Sequence, residues 1–160
     1  DMGVLLASEF VDDNIEVVVG PAVGSNILAS YIAGALDGVN GKKVQNCWTE
    51  KGEDKKFMLR PQFIGLIDGK RVLIAEDVLT TGGSANSTID LVKENGGRIV
   101  AVGVLCNRGG VTAETLGVPE AKLVALLNIE FETWTKEECP LCKDNILMSQ
   151  IVGHAKKLKE

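Results

Sequence analysis

Residues Val72–Ser84 read VLIAEDVLTTGGS, and the order of these residues decides the fold. Val72, Leu73, Ile74 and Ala75 form a short all-apolar run that fits a strand buried on both faces, as in a parallel sheet. Glu76 and Asp77 follow at its carboxyl end, where open α/β sheets bind ligands. After Val78 and Leu79 comes Thr80-Thr81-Gly82-Gly83-Ser84, and then helical spacing at Ala85, Ile89 and Val92. The glycines permit positive φ and remove Cβ atoms that would block a close ligand. The N–H groups of such a turn and of the helix start favour an anion, typically phosphate, and the Thr and Ser hydroxyls add donors. The acids would repel that phosphate, so they are expected to face neutral hydroxyls such as those of a ribose. The stretch reads as a site for a phosphorylated sugar. The plainer reading is a strand-to-helix turn with Ser84 as the helix N-cap.

Two other phosphate motifs are excluded. A Walker-type loop needs Lys directly after the second glycine, where this chain has Ser84. A dinucleotide fingerprint needs GxGxxG after the strand and its acid well downstream of the glycines, not before them.

Working outward, Asn14–Gly20 (NIEVVVG) is predicted as another buried strand, ending in a turn of small residues, Gly20-Pro21-Ala22-Val23-Gly24-Ser25-Asn26. A helix follows over about Asn26–Leu36, with an apolar face of Ile27, Tyr31 and Ala35 together with Leu28 and Ile32. Lys43–Trp48 is the next expected strand, and Glu50–Lys56 is a charge run expected to be a solvated loop. Phe57–Leu66 has alternating character before a turn at Asp68-Gly69. Arg98–Cys106 and Lys122–Phe131 are further strands, residues 2–11 the end of an amphipathic helix, and 146–158 a terminal helix. Alternation of strand and helix implies an α/β fold with a mostly parallel twisted sheet flanked by helices. In such a sheet the turns at 20–26 and 80–84 and the Arg at 108 lie on one edge and can converge on one ligand.

With 160 residues and 45% hydrophobic content, residues 1–160 are expected to form a single domain with a real core. No run reaches membrane-spanning length and no leader is apparent, so a soluble cytoplasmic protein without a membrane partner is expected. The net charge of −5 argues against a general nucleic-acid binder. Of the four cysteines, Cys47 and Cys106 lie in apolar stretches and suit buried positions. Cys139 and Cys142 have metal-ligand spacing, but a structural zinc site needs four ligands and only His154 is near. A redox pair and a plain turn remain open beside zinc. Tyr31 and the Phe residues are expected in the core and His154 at the surface.

These residues resemble a known family, the type I phosphoribosyltransferases, and within it the orotate-using branch. Acid-acid-apolar-apolar-Thr-Thr-Gly-Gly-Ser is similar to that family's signature for 5-phosphoribosyl 1-diphosphate. The branch is suggested by Gly20–Gly24, by Glu50-Lys51 ahead of Leu59-Arg60-Pro61-Gln62-Phe63, by Asn107-Arg108-Gly109 and by Glu138–Cys142, and the resemblance as a whole covers essentially residues 5–145. The resemblance implies transfer of the 5-phosphoribosyl group to orotate, releasing diphosphate, in pyrimidine nucleotide synthesis. The alternatives are a purine phosphoribosyltransferase and a non-catalytic module that senses 5-phosphoribosyl 1-diphosphate.

Carried over residue by residue, the resemblance implies that Glu76 and Asp77 hold the ribose hydroxyls and offset positive charge developing on the ring. Val78, Leu79, Thr80, Thr81, Gly82, Gly83 and Ser84 would cradle the 5-phosphate, with Thr80 also near orotate. Pro21, Ala22 and Gly24 would meet the diphosphate. Lys51 would bind the diphosphate at the base of a loop that carries Lys55 and reaches across a homodimer, and Lys51 and Lys55 join the acids as catalytic residues. On sequence alone Lys51, Lys55 and Lys56 are solvent charges. Arg108 stands in the place of an orotate-contacting Arg; read without the family it pairs with a surface acid. Mg²⁺ would ride on the substrate, with no metal site built from protein groups. The chain departs from the family at Asn107, where an Asp usually stands, and in the loop GEDKK, which lacks the usual His. It is also expected to lack the N-terminal segment that in the family covers the base.

Overall fold

The computed structural model describes residues 2–53, 56–132, 134–135 and 137–146, with residues 22 and 23 described by backbone alone. The strands are β1 (Val17–Pro21), β2 (Gln45–Lys51), β3 (Phe57–Leu59), β4 (Arg71–Leu79), β5 (Arg98–Asn107) and β6 (Lys122–Asn128). The helices are α1 (Met2–Ser8), α2 (Ala22–Asn40), α3 (Pro61–Ile67), α4 (Gly83–Glu94) and α5 (Pro140–Lys143). Two compact units divide the chain at Glu130/Phe131, and α5 belongs to the second.

The strands of the first unit form one sheet in the order β3-β2-β1-β4-β5-β6. All neighbours are parallel except β2 and β3, which pair antiparallel with Thr49 opposite Leu59 and Lys51 opposite Phe57. The expected mostly parallel α/β sheet is what forms. Successive residues of the central strands feed opposite cores, as a pleat requires. Val17, Val19, Val72, Ile74, Val102 and Val104 pack with α4 residues Ala85, Ile89 and Val92 on one face. Val18, Leu73, Ala75 and Ala101 pack with Leu6, Phe10, Leu28, Ile32 and Leu36 on the other. Burial on both faces explains why these strands read as unbroken apolar runs.

Three local expectations are corrected. First, α2 begins at Ala22 directly after Pro21, so most of the expected small-residue turn is the opening of the helix. The fixed φ of Pro21 (−68°) with ψ 124° sets the entry into that turn. Second, Ile27 and Tyr31 do not face the core: they are 66% and 56% exposed, while Leu28, Ala29, Ile32, Ala33 and Leu36 are buried. The helix is apolar around much of its girth, and the side bearing Ala29 and Ala33 allows the closer approach to the sheet. Third, Phe57–Leu66 forms only the short β3 before turning into α3. Arg60 is extended and Pro61 occupies a first-turn position, where its missing N–H costs no hydrogen bond. Phe63 and Ile67, one helical turn apart, then reach the core.

Cys47 is fully buried and burial pushes its thiol up to about 12, as expected of a core cysteine, whereas Cys106 is only half-buried. The expected terminal helix over 146–158 and His154 fall almost wholly outside the described residues. Among the described residues, no helix is long and apolar enough to cross a membrane.

Candidate functional site

Parallel pairing brings the carboxyl ends of β1, β2, β4 and β5 to one edge, with Pro21 opposite Thr49 and Leu79 opposite Asn107. β4 runs on through both acids to Leu79, so Glu76 and Asp77 lie within the strand and not after it. Glu76 is only 5% exposed, while Asp77 is exposed. Burial pushes the Glu76 carboxyl up to about 7, and the Asp77 carboxylate adds to the rise. The hydroxyl of Ser25 and the N–H of Asp77 donate to it and act the other way. Asp77 also accepts the N–H of Val78 at 2.7 Å. The pair thus consists of one shielded carboxyl and one open carboxylate, side by side.

The first turn of α2 is tied to these acids. Ser25 donates its hydroxyl to Oε1 of Glu76 and accepts the N–H of Asp77 at 3.2 Å. A Cβ on Gly24 would lie 2.9 Å from Oδ2 of Asp77, so a side chain there would make the exposed carboxylate swing aside.

The β4–α4 turn has the geometry expected of a phosphate cradle. Gly82 takes φ 76°, the left-handed region, at the N-cap of α4, and a Cβ there would meet Leu116 at 2.8 Å. Gly82, not Ser84, is the cap, and it makes no side-chain hydrogen bond. The first backbone bond of the helix runs from Asn86 N–H to Gly82 C=O at 2.8 Å. The N–H groups of Gly83, Ser84 and Ala85 precede it, at the positive end of a 12-residue helix.

Arg108 closes the third side. Its Nε donates to Thr80 Oγ1 at 2.8 Å, and its backbone N–H donates to Leu79 C=O at 2.9 Å. Asn107, buried, organises the turn behind it: Nδ2 donates to Val111 C=O at 2.8 Å and Oδ1 accepts the N–H of Val111 at 3.1 Å. The turns expected to converge are therefore linked directly, β1–α2 to β4 through Ser25 and β4–α4 to β5 through Thr80.

Lys51 ends β2 on the same edge, its ammonium 5.1 Å above the ring centroid of Phe57. Gly52 N–H donates to Lys56 C=O at 2.8 Å, closing the base of the loop. Lys55 lies outside the described residues. Beside this loop, Glu50 accepts from Trp48 Nε1 at 3.0 Å and from Arg60 at 2.8 Å, and Arg60 holds its carboxyl below the usual range. The part of Ser25 in holding the acids was not legible, because its partner Glu76 lies 51 positions along the chain.

Cys139 caps α5, and the nearby backbone amide of Cys142 holds its thiol below the ordinary value. Among the described residues, no group of three or more His, Cys, Asp or Glu could hold a metal ion.

Comparison with known proteins adds four findings. Residues 5–139 match the model of the phosphoribosyl transferase domain. The chain is 40% identical over 141 residues to an orotate phosphoribosyltransferase of Caldicellulosiruptor bescii, covering 88% of this chain and 68% of that protein. Among solved structures it resembles an adenine phosphoribosyltransferase of Rhodothermus marinus (TM-score 0.62, 25% identity, 80% of this chain and 78% of that one). It resembles equally the orotate phosphoribosyltransferase of Mycobacterium tuberculosis (TM-score 0.62, 25% identity, 79% and 70%). The fold is thus shared by purine and orotate enzymes, and the sequence relatives point to orotate.

Proposed function

This chain belongs to the phosphoribosyl transferase domain family, and from that premise we propose that it transfers the 5-phosphoribosyl group from 5-phosphoribosyl 1-diphosphate to orotate. The products are orotidine 5-phosphate and diphosphate, a step of pyrimidine nucleotide synthesis. The observation that carries the reading is the joining of three strand-end turns into one edge by the Ser25–Glu76 and Arg108–Thr80 bonds. We read residues 1–160 as one catalytic domain of this family.

In the reaction the bond from the anomeric carbon to the diphosphate oxygen breaks and a bond to a ring nitrogen of the base forms. Positive charge develops on the ribose ring as the diphosphate departs. Asp77, exposed on the edge, and Glu76, buried beside it, are placed to accept hydrogen bonds from the ribose hydroxyls and to offset that charge. The amides of Gly83–Ala85, with the hydroxyls of Thr80, Thr81 and Ser84, receive the 5-phosphate. Pro21, Ala22 and Gly24 at the opening of α2, with Lys51, face the diphosphate; Lys55 would join them from the loop. Arg108, held against Thr80, presents a fixed cation for the carboxylate of orotate. Catalysis on this reading is positional and electrostatic, and needs no nucleophilic side chain.

Two acids of which one is buried do not make a protein cage for Mg²⁺, and this donor set fits an ion held mainly by phosphate oxygens and water. Bound there, Mg²⁺ would supply charge neutralisation for the leaving diphosphate. Family resemblance supports a cytoplasmic homodimer in which the 50–56 loop acts on the partner's site.

The test is loss of 5-phosphoribosyl 1-diphosphate in the presence of orotate, adenine or no base. Turnover with orotate alone supports the proposal. Turnover with adenine alone would sink the orotate assignment, and tight binding with no product from either base would mark a sensing module.

A further inference from the structure

Ser25 is 1% exposed, yet its hydroxyl is used twice, donating to Glu76 and accepting the N–H of Asp77 at 3.2 Å. The approach that allows this is built by glycines. A Cβ on Gly20 would fall 2.6 Å from the carbonyl oxygen of Ser25, and one on Gly24 would fall 2.9 Å from Oδ2 of Asp77. Gly20 therefore lets the first turn of α2 close onto the end of β1, and Gly24 leaves room beside that turn for the Asp77 carboxylate of β4. Resemblance gives this segment to the diphosphate; its serine points the other way, into the acids.

We infer that Ser25 is a positioning residue of this site, whose single hydroxyl holds Glu76 and the Asp77 backbone in the one arrangement that presents both acids to the ribose. The inference rests on the reading of the acids as ribose-facing groups.

The electrostatic surroundings explain why one hydroxyl matters. On β4 the only charged neighbour is Asp77, which disfavours a second negative charge. From α2 come Ser25 and Gly24, and from β5 Val104 opposite Glu76, with Cys106 two residues on, while the β1–β4 pairing ends at Val19 opposite Ile74. α4 offers β4 the apolar Ala85 and Ile89. Among the described residues no cation pairs with Glu76. Ser25 is thus the one side chain that favours the ionised form, and without it the buried carboxyl holds its proton to higher pH.

The test uses three proteins: the unaltered chain, Ser25→Ala and Ser25→Thr. The Glu76 carboxyl is followed by ¹³C NMR titration, its signal assigned through Glu76→Gln, and the pH profile of kcat/KM is measured alongside. In Ser25→Ala the Glu76 titration and the acid limb of the profile should both move up, by on the order of one pH unit. That leaves roughly tenfold lower kcat/KM at pH 6 and near-recovery at pH 9. Ser25→Thr keeps a hydroxyl and should restore both. An unmoved Glu76 titration, or an equal loss of rate at every pH, overturns the inference. The NMR titration needs no substrate. An unaltered chain that does not turn over orotate but shows the Ser25-dependent titration would overturn the proposed reaction and leave the role of Ser25 standing.

Discussion

Gly109 lies so close to Thr80 that a Cβ built on it would fall 1.6 Å from the Thr80 carbonyl oxygen. That contact welds the β5 turn to the β4–α4 turn at backbone level, and Arg108 Nε reaches Thr80 Oγ1 from the neighbouring position. Gly109→Ala must push the two turns apart. We expect the KM for orotate to rise at least tenfold, with a smaller change in KM for 5-phosphoribosyl 1-diphosphate. Steady-state kinetics with each substrate varied in turn checks this; equal effects on both would show that the contact serves the fold alone.

Arg108→Ala removes the cation and its hydrogen bond to the half-buried Thr80 while leaving the backbone in place. Because the side chain is exposed, melting temperature should change little. Turnover should fall ten- to a hundredfold through orotate binding, the range of a lost charge-assisted bond. Retained affinity for orotate would remove the role given to this residue.

Glu76 should cost the fold stability wherever it is ionised. Its carboxyl is raised from 4.5 to about 7, so the folded state holds the proton between those values while the unfolded state has lost it. Stability from this group is thus full below about pH 4.5 and declines as pH rises to about 7. Glu76→Gln removes the titration and should stabilise the protein at pH 8, by on the order of 2–3 kcal/mol, with little effect at pH 4.5. The same change should reduce turnover strongly. Melting curves at the two pH values decide the first point; a pH-independent effect would contradict it.

Asn107→Asp restores the residue usual in the family and should still destabilise this chain. Nδ2 donates to Val111 C=O at 2.8 Å, and a carboxylate would place an acceptor against that acceptor. A loss of about 1–3 kcal/mol is expected in chemical denaturation. A neutral or stabilising result would mean that the turn repacks around the acid.

The fold was legible where burial dictates composition. The runs at 17–20, 72–75 and 98–106 had to be strands because only a doubly covered sheet accepts them, whereas residues 14–16, expected in the first of them, precede β1. Glu76, Asp77 and the glycine turn were legible because acids and small residues at the end of such a run have little structural use. What stayed hidden depends on partners distant in sequence: Ser25 reaches Glu76 across 51 positions, and Gly109 matters only because Thr80 lies against it. Helix α2 was misjudged in phase because a helix with apolar residues on several sides does not announce which side meets the sheet. The roles of Lys51 and Arg108 came from resemblance, since exposed cations look alike in a sequence.

Thiol reactivity should follow the same local physics. Cys47 is buried with its thiol pushed up to about 12, whereas the Cys139 thiol is lowered by the amide of Cys142. Iodoacetamide at pH 7.5 should label Cys139 well before Cys47, which peptide mapping of the native protein will show. Comparable labelling of both would indicate that the sheet opens readily.

The hairpin between Lys51 and Phe57 acts as a ruler. It is closed at its base by the Gly52–Lys56 bond, and each residue added to it lengthens the chain by at most about 3.5 Å. Lengthening this loop would extend how far its lysines travel without disturbing the strands that hold the acids. Shortening it would leave the cradle intact and the lysines out of range. On the proposed roles, grip on the sugar and reach toward the departing group belong to separate parts of the chain, so that each can change while the other stays fixed.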